Sequence, residues 1–321
     1  MRVVVTGGAG LVGRAVVGRL RERGDAVVAL VRDPARAPFP AALGVELVRD
    51  DLSDVGRLTG LLAGADGLIH AAGSYRVGIP ASERAAMLDA NLGTTTRILD
   101  AAVAAATPRI VYVSTVNVFG NTRGRIVDET FQRDLRDGFL SWYDETKYRA
   151  HEVAVERAAA GAPVVIVLPS QVYGPGDRTG IGRQLELARD GKLPYRALEG
   201  LRLGFVHADD LAAGIVAALD RGRTGESYVL SGPIASLRDA TAIAAALGGR
   251  PLPRVSLPDR LVRWMAPLGR LIGQPNLREI VDAGSGVTYL ASSTKAEREL
   301  SFSARNLEAG LRQVLGPSGA T

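Results

Sequence analysis

The stretch Arg2-Val3-Val4-Val5-Thr6-Gly7-Gly8-Ala9-Gly10-Leu11-Val12-Gly13 decides the fold. Three consecutive β-branched apolar residues predict a strand buried on both faces, as in a parallel sheet. Leu11–Arg23 follows with an amphipathic helical pattern. Between the two lie Gly7, Gly10 and Gly13. Such glycines serve a tight turn out of the strand, close backbone approach to a pyrophosphate, and close packing of helix on strand. The helix start, at Leu11 and Val12, then presents unpaired N–H groups to the phosphates. Glycine spacing alone says little in a chain with 38 glycines. Its place between the first strand and the first helix is what points to a dinucleotide.

Outward from this loop the first half keeps one rhythm. Strands are predicted at Arg2–Thr6, Ala26–Val31, Val45–Val48, Gly67–His70, Arg109–Val113 and Val164–Leu168, with helices at Leu11–Arg23, Val55–Leu62, Ser82–Ala106 and Trp142–Ala160. Strands separated by helices imply a parallel sheet covered on both faces. After Pro169 the rhythm breaks. Gly174–Gly182 reads as loop, Leu203–Val206 and Asp209–Asp220 as another strand and helix, and Glu226–Leu230 as a short strand. The chain from Ser231 onward is helix and loop punctuated by proline. The fold expected is α/β, a doubly wound parallel sheet of the Rossmann type with a smaller, mostly helical C-terminal substrate lobe. Residues 1–169 plus 203–230 are assigned to the nucleotide-binding domain, and 170–202 plus 231–321 to the lobe.

Composition removes several function classes. Without cysteine the 321 residues hold no disulfide, thiolate nucleophile or Cys-ligated metal. His70, His151 and His207 are too scattered for a local ligand pair, so no metal is expected. Charges of both signs are interspersed at a net +5, which reads as a solvated surface and not a nucleic-acid footprint. No apolar run approaches the ~20 residues of a membrane span, and Met1 leads directly into a strand pattern, not a signal peptide. A cytoplasmic protein is expected. Within Pro258–Gln274, the apolar face of Leu261, Val262, Trp264, Met265, Leu268 and Leu271 reads as core or as the contact of a homodimer. Arg260, Arg263 and Arg270 beside it leave association with a membrane surface as the alternative.

The end of the second strand indicates which dinucleotide binds. An NAD binder places Asp or Glu there to hold the ribose hydroxyls. Here Val31 is followed by Arg32, whose guanidinium suits the 2′-phosphate of NADP, with Asp33 as the ribose alternative. NADP is therefore favoured over NAD. Tyr143 and Lys147 stand four apart on one helix face. With eight tyrosines and only three lysines, a chance pair at this spacing is expected about 0.07 times. A phenol near its unperturbed pKa of ~10 exchanges protons slowly at neutral pH, and a cation favours its phenolate. Ser114 and Thr115 follow the Arg109–Val113 strand, where strand ends meet the ligand crevice of such sheets.

These residues together resemble the extended short-chain dehydrogenase/reductases, also called the NAD-dependent epimerase/dehydratase family. The resemblance covers nearly the whole chain: Thr6–Gly13, Asp51-Leu52, His70-Ala71-Ala72-Gly73, Asn91, Tyr112–Gly120, Tyr143 with Lys147, Pro169–Pro175, His207–Leu211 and Ser293–Ala296. It implies that Tyr143 is the acid/base. Lys147 would hold the nicotinamide ribose and lower the tyrosine pKa. Thr115, with Ser114 sharing the role, would position the substrate oxygen. Asp51 and Leu52 would meet adenine, Ala71–Gly73 and Asn91 would lie beside the cofactor, and Pro169 and Ser170 would border the nicotinamide.

Departures from the family pattern narrow the activity. Sugar-nucleotide dehydratases carry an Asp-Glu pair where Val116 and Asn117 follow Thr115 here, so the acid and base of an elimination are missing. Many sugar-nucleotide epimerases grip the nucleotide with an Arg where Leu203 stands, though Arg202 is one residue away. Leu30–Pro34, Leu168–Ser170 and Ser74-Tyr75-Arg76 look like the dihydroflavonol-reductase-like branch, and the last of these also resembles the hopanoid-associated sugar epimerases. The expected activity is NADP-dependent reduction of a small-molecule ketone or aldehyde. Epimerisation of a sugar or sugar nucleotide on tightly bound NAD(P) is the alternative. Substrate contacts are expected from Tyr75, Arg76, Tyr173, Arg178 and Arg183. The arginines suit either an acidic substrate or a solvated rim.

Overall fold

Val3, Val4 and Val5 have no exposed surface in strand β1 (Arg2–Thr6). Alternate side chains of a strand face opposite ways. Val4 joins Leu58, Leu62, Ile98 and Leu99 in one core, while Val3 and Val5 join Val16, Val17, Leu211 and Ile215 in another. The computed structural model describes residues 1–37, 39, 41–267 and 277–316. Its strands are β1, β2 (Ala26–Val31), β3 (Glu46–Arg49), β4 (Gly67–His70), β5 (Ile110–Val113), β6 (Val164–Pro169), β7 (Gln171–Tyr173), β8 (Arg202–His207), β9 (Ser227–Leu230), β10 (Ile234–Ser236) and β11 (Thr288–Tyr289).

A seven-stranded sheet, all parallel, runs β3-β2-β1-β4-β5-β6-β9. The chain leaves β1 toward one edge and restarts at β4 toward the other. That topological switch opens a crevice at the strand carboxyl ends. Helices α1 (Leu11–Glu22) and α7 (Ala208–Arg221) supply one face, and α2 (Val55–Leu62), α4 (Thr94–Ala104) and α5 (Trp142–Ala159) the other. The helix expected over Ser82–Ala106 is interrupted. After α3 (Arg84–Leu88), Asp89–Gly93 forms a π-helical turn that leads into α4. Turns of this kind concentrate at functional sites, and this one carries Asn91.

The strand read at Leu203–Val206 does not join the large sheet. As β8 it pairs with β7 and β11 in parallel and with β10 antiparallel, in a second sheet. Helices α6 (Gly180–Arg189), α8 (Leu237–Leu247), α9 (Asp259–Met265), α10 (Leu277–Gly284), α11 (Thr294–Leu300) and α12 (Leu307–Leu315) complete the largely helical C-terminal region. α6 begins inside the expected loop because the Thr179 hydroxyl accepts the Gly182 N–H at 3.1 Å. On α9, Val262 is buried against Ala266 and Val281, whereas Leu261 and Trp264 are exposed. Leu268, Arg270, Leu271 and Gln274 lie outside the described residues. Among the described residues, no helix is long and apolar enough to cross a membrane.

Candidate active site

At the switch point the glycine loop packs with no room to spare. Gly7 is left-handed (φ +70°), and a Cβ there would lie 2.7 Å from the backbone of Ala72. A Cβ on Gly13 would sit 2.1 Å from the Gly7 carbonyl oxygen. Helix α1 starts at Gly10 with no side-chain cap and no acid in its first turn. Its first N–H groups are thus left for an anion. Gly7, Gly10, Leu11, Val12, Gly13, Ala71, Ala72, Gly73, Asn91, Pro169 and Ser170 line one cleft of about 320 Å³ with Ser114, Thr115, Tyr143 and Lys147. The Ser170 hydroxyl is buried there without a protein partner. An unfilled helix start, a loop that only glycine fits and an orphaned hydroxyl at the far end suit a dinucleotide laid across the strand ends.

Arg32, Asp51 and Leu52 are not part of the cleft lining. Arg32 is exposed one residue beyond β2, and Asp33 accepts the Ala35 N–H at 3.1 Å. Asp51 accepts both the N–H and the hydroxyl of Ser53, and these bonds hold its carboxyl below the usual range. Leu52 is buried in a left-handed conformation (φ +62°), with its N–H on Asp50 at 2.7 Å and its carbonyl taking the Arg97 Nε–H at 2.7 Å.

Helix α5 delivers the reactive face. Ser141 caps it by accepting the Asp144 N–H at 3.1 Å. Beneath Tyr143 the buried Asp144 carboxylate meets Arg133 through two bonds, at 2.6 and 2.7 Å. Tyr143 is buried and lines the cleft together with Thr115. Burial, and next the neighbouring Tyr75 phenol, push the Tyr143 phenol well above its ordinary value. The expected lowering by Lys147 is thus not what the side chains show. The Lys147 ammonium donates instead to the Tyr112 hydroxyl at 3.3 Å and the Val113 carbonyl at 3.2 Å. His70 and His151 flank it and stay neutral, pushed down to about 3 and about 4 by burial first and the Lys147 charge second. Thr115 donates to Asn117 Oδ1 at 3.1 Å, and Ser114 Oγ lies 3.1 Å from His151 Nδ1.

Of the five expected substrate contacts, only Tyr75 reaches the cleft, with its ring edge-on to Tyr143 at 4.8 Å between centroids. Tyr173 is turned away and buried against His207 and Gly310. Arg76 pairs with Glu83 at 2.5 Å, Arg183 lies 3.7 Å from Glu186, and Arg178 is exposed. The three arginines make a solvated rim, because a hydrated guanidinium gains nothing from burial without an anion. Sequence reasoning passed over Val77, Ile181, Leu201, Ala283 and Tyr289, which line the cleft with Leu203. It also passed over the Arg133–Asp144 pair and His151. One signal was readable: Leu201 and Leu203 bracket Arg202 in the alternation of a strand.

Residues 3–231 match the model of the NAD dependent epimerase/dehydratase family. A Synechocystis sp. protein named "Putative dihydroflavonol 4-reductase" is 34% identical over 281 residues, covering 83% of this chain and 80% of its own. The 4-hydroxy-2-methyl-3-oxo-4-farnesyl-3,4-dihydroquinoline-1-oxide ketoreductase of Stigmatella aurantiaca is 32% identical and covers 99% of this chain and 98% of its own. Among solved structures, a double mutant of dTDP-glucose 4,6-dehydratase from Streptomyces venezuelae with NAD bound superposes with a TM-score of 0.78. It is 26% identical, over 98% of this chain and 96% of that one.

Proposed function

Because the chain belongs to the NAD-dependent epimerase/dehydratase family and is an NAD(P)-dependent enzyme of the extended short-chain dehydrogenase/reductase type, we propose that it reduces a ketone or aldehyde to an alcohol with NADPH. The observation that carries this reading is the floor of the cleft. A buried Tyr143 lines it together with Thr115, and the residues that follow Thr115 are Val116 and the amide Asn117, not carboxylates.

When bound along the glycine loop, the nicotinamide supplies the hydride. Tyr143 then gives its proton to the carbonyl oxygen. The Thr115 hydroxyl holds the same oxygen by hydrogen bond. Lys147, anchored on the β5 end by Tyr112 and Val113, would hold the nicotinamide ribose. The Ser170 hydroxyl and Asn91 line the same cleft.

Support for NADP comes from Arg32, exposed at the β2 end, while Asp33 is tied to its own turn. In this reading the enzyme works in the cytoplasm on a small-molecule carbonyl or alcohol. An epimerase would use the same tyrosine but return its hydride, so stoichiometry separates the two. The test is NADPH consumed per product formed, in wild type and Tyr143→Phe. One NADPH per alcohol is expected, with turnover of the variant lower by about 10³-fold and its NADPH affinity retained. Near-normal turnover of the variant would falsify the assignment.

A further inference from the structure

We infer that the substrate carries its carbonyl on an uncharged, apolar body, and that Tyr75 decides which bodies are admitted. The inference rests on the reductase reading. Beyond Tyr143 the cleft is walled by Tyr75, Val77, Ile181, Leu201, Leu203 and Tyr289, drawn from separate stretches of the chain. Among the described residues lining it, the one charged side chain is Lys147. That ammonium is committed to the β5 end through Tyr112 and Val113.

Three polar groups at this end already have partners within the chain. The Ser141 hydroxyl accepts the Asp144 N–H, and Thr179 accepts the Gly182 N–H while donating to Asp177 at 3.2 Å. The Tyr289 hydroxyl donates to the Ala283 carbonyl at 3.2 Å. A sugar placed here would lose water from more hydroxyls than the wall can replace, and a phosphate or carboxylate would be buried unpaired. Nor can Arg202 come to its aid. Leu201, just before β8, and Leu203 within it line the cleft, while Arg202 between them is exposed and outside the lining. Arg76, Arg178 and Arg183 lie outside the lining, and the charge acting on Tyr75 is the Asp177 carboxylate, which opposes an anion.

Tyr75 has a fixed stem and an open ring. Asn91 accepts the Ser74 N–H at 2.7 Å and donates to the Ser74 carbonyl at 3.1 Å, which pins the backbone just before it. The residue itself is 44% exposed, with its ring standing edge-on beside the Tyr143 phenol. A carbonyl compound reaching Tyr143 must pack against that ring or move it aside. Flat or alicyclic apolar bodies make the larger contact.

The test is NADPH oxidation by the full chain with α-tetralone, cyclohexanone, phenylpyruvate and UDP-glucose as probes. The expected kcat/KM for α-tetralone exceeds that for phenylpyruvate by at least about tenfold, an unpaired buried carboxylate costing at least that much. Leu203→Arg should narrow or reverse the ratio at unchanged NADPH affinity. Tyr75→Ala should raise the α-tetralone KM about tenfold and the cyclohexanone KM less. Equal or better use of phenylpyruvate overturns the apolar slot and leaves the reductase standing. Conversion of UDP-glucose with no net NADPH change, and no reduction of any ketone, overturns both. Failure of every neutral ketone, with or without a response to UDP-glucose, also overturns the inference. An α-tetralone KM untouched by Tyr75→Ala removes Tyr75 from it.

Discussion

The cofactor end of the cleft comes from the carboxyl ends of β1, β4, β5 and β6, strands that pair side by side in one parallel sheet. The substrate end draws Val77, Ile181, Leu203 and Tyr289 from four segments that do not neighbour one another in sequence. At the first end backbone atoms define the geometry, and a single Cβ on Gly7 or Gly13 would collide with it. At the second, side chains define it, and replacing one changes what fits without disturbing the frame. The first should therefore tolerate almost no substitution, whereas the second should change specificity readily.

The largest test of this contrast is Arg133→Ala, because α5 serves both ends through Tyr143 and Lys147. Removing Arg133 leaves the fully buried Asp144 carboxylate without its cation. Unfolding in urea should show a loss of about 3–5 kcal/mol. Both NADPH binding and turnover should fall together. A loss confined to one of them would show that the ends are not joined through this pair.

Gly13→Ala acts on the cofactor end alone. Its Cβ would press on the Gly7 carbonyl, and the displaced loop should weaken NADPH binding about 100-fold by fluorescence titration. Retained affinity would mean that the loop has slack the packing does not suggest.

Acid should damage the same end next. His70 and His151 are held neutral in the folded chain, and each takes up a proton on unfolding below its ordinary value of about 6.5. Their contribution to stability is complete above that value and is lost as pH falls from about 6.5 toward 4. Each histidine should add a slope approaching ~1.4 kcal/mol per pH unit in that window. Urea unfolding between pH 4.5 and 7.5 reads it, and His70→Gln should remove one histidine's share. An unchanged slope would place His70 in contact with water.

The smallest effect is expected at the exposed rim of the cofactor end. Arg32→Ala should raise the NADPH KM about tenfold and leave that for NADH nearly unchanged. Equal effects on both would remove the 2′-phosphate from Arg32.

How much of this was legible in the sequence follows the same division. Strand β1 and the glycine loop are local: three valines, three glycines and a helix start need only their own neighbours to be read. Tyr143 and Lys147 were legible because helical periodicity brings residues four apart onto one face. Tyr173 was misplaced because its motif fixes a backbone position and not which side of β7 the ring takes. The arginines were ambiguous because a residue name does not reveal whether an acid such as Glu83 stands beside it. His151 looked like an unremarkable residue because its partner, Ser114, lies on another element.

The sequence by itself therefore determined the strand–helix alternation of a parallel sheet, the dinucleotide loop and the tyrosine–lysine pair, all of which are written in patterns a few residues long. Only the tertiary structure decided that the β8 strand joins a second sheet, that Arg202 faces away while Leu203 faces in, and that burial raises the Tyr143 phenol. These depend on which distant segments exclude water from which side chain. Pairing across long loops settles that, and no local pattern encodes it.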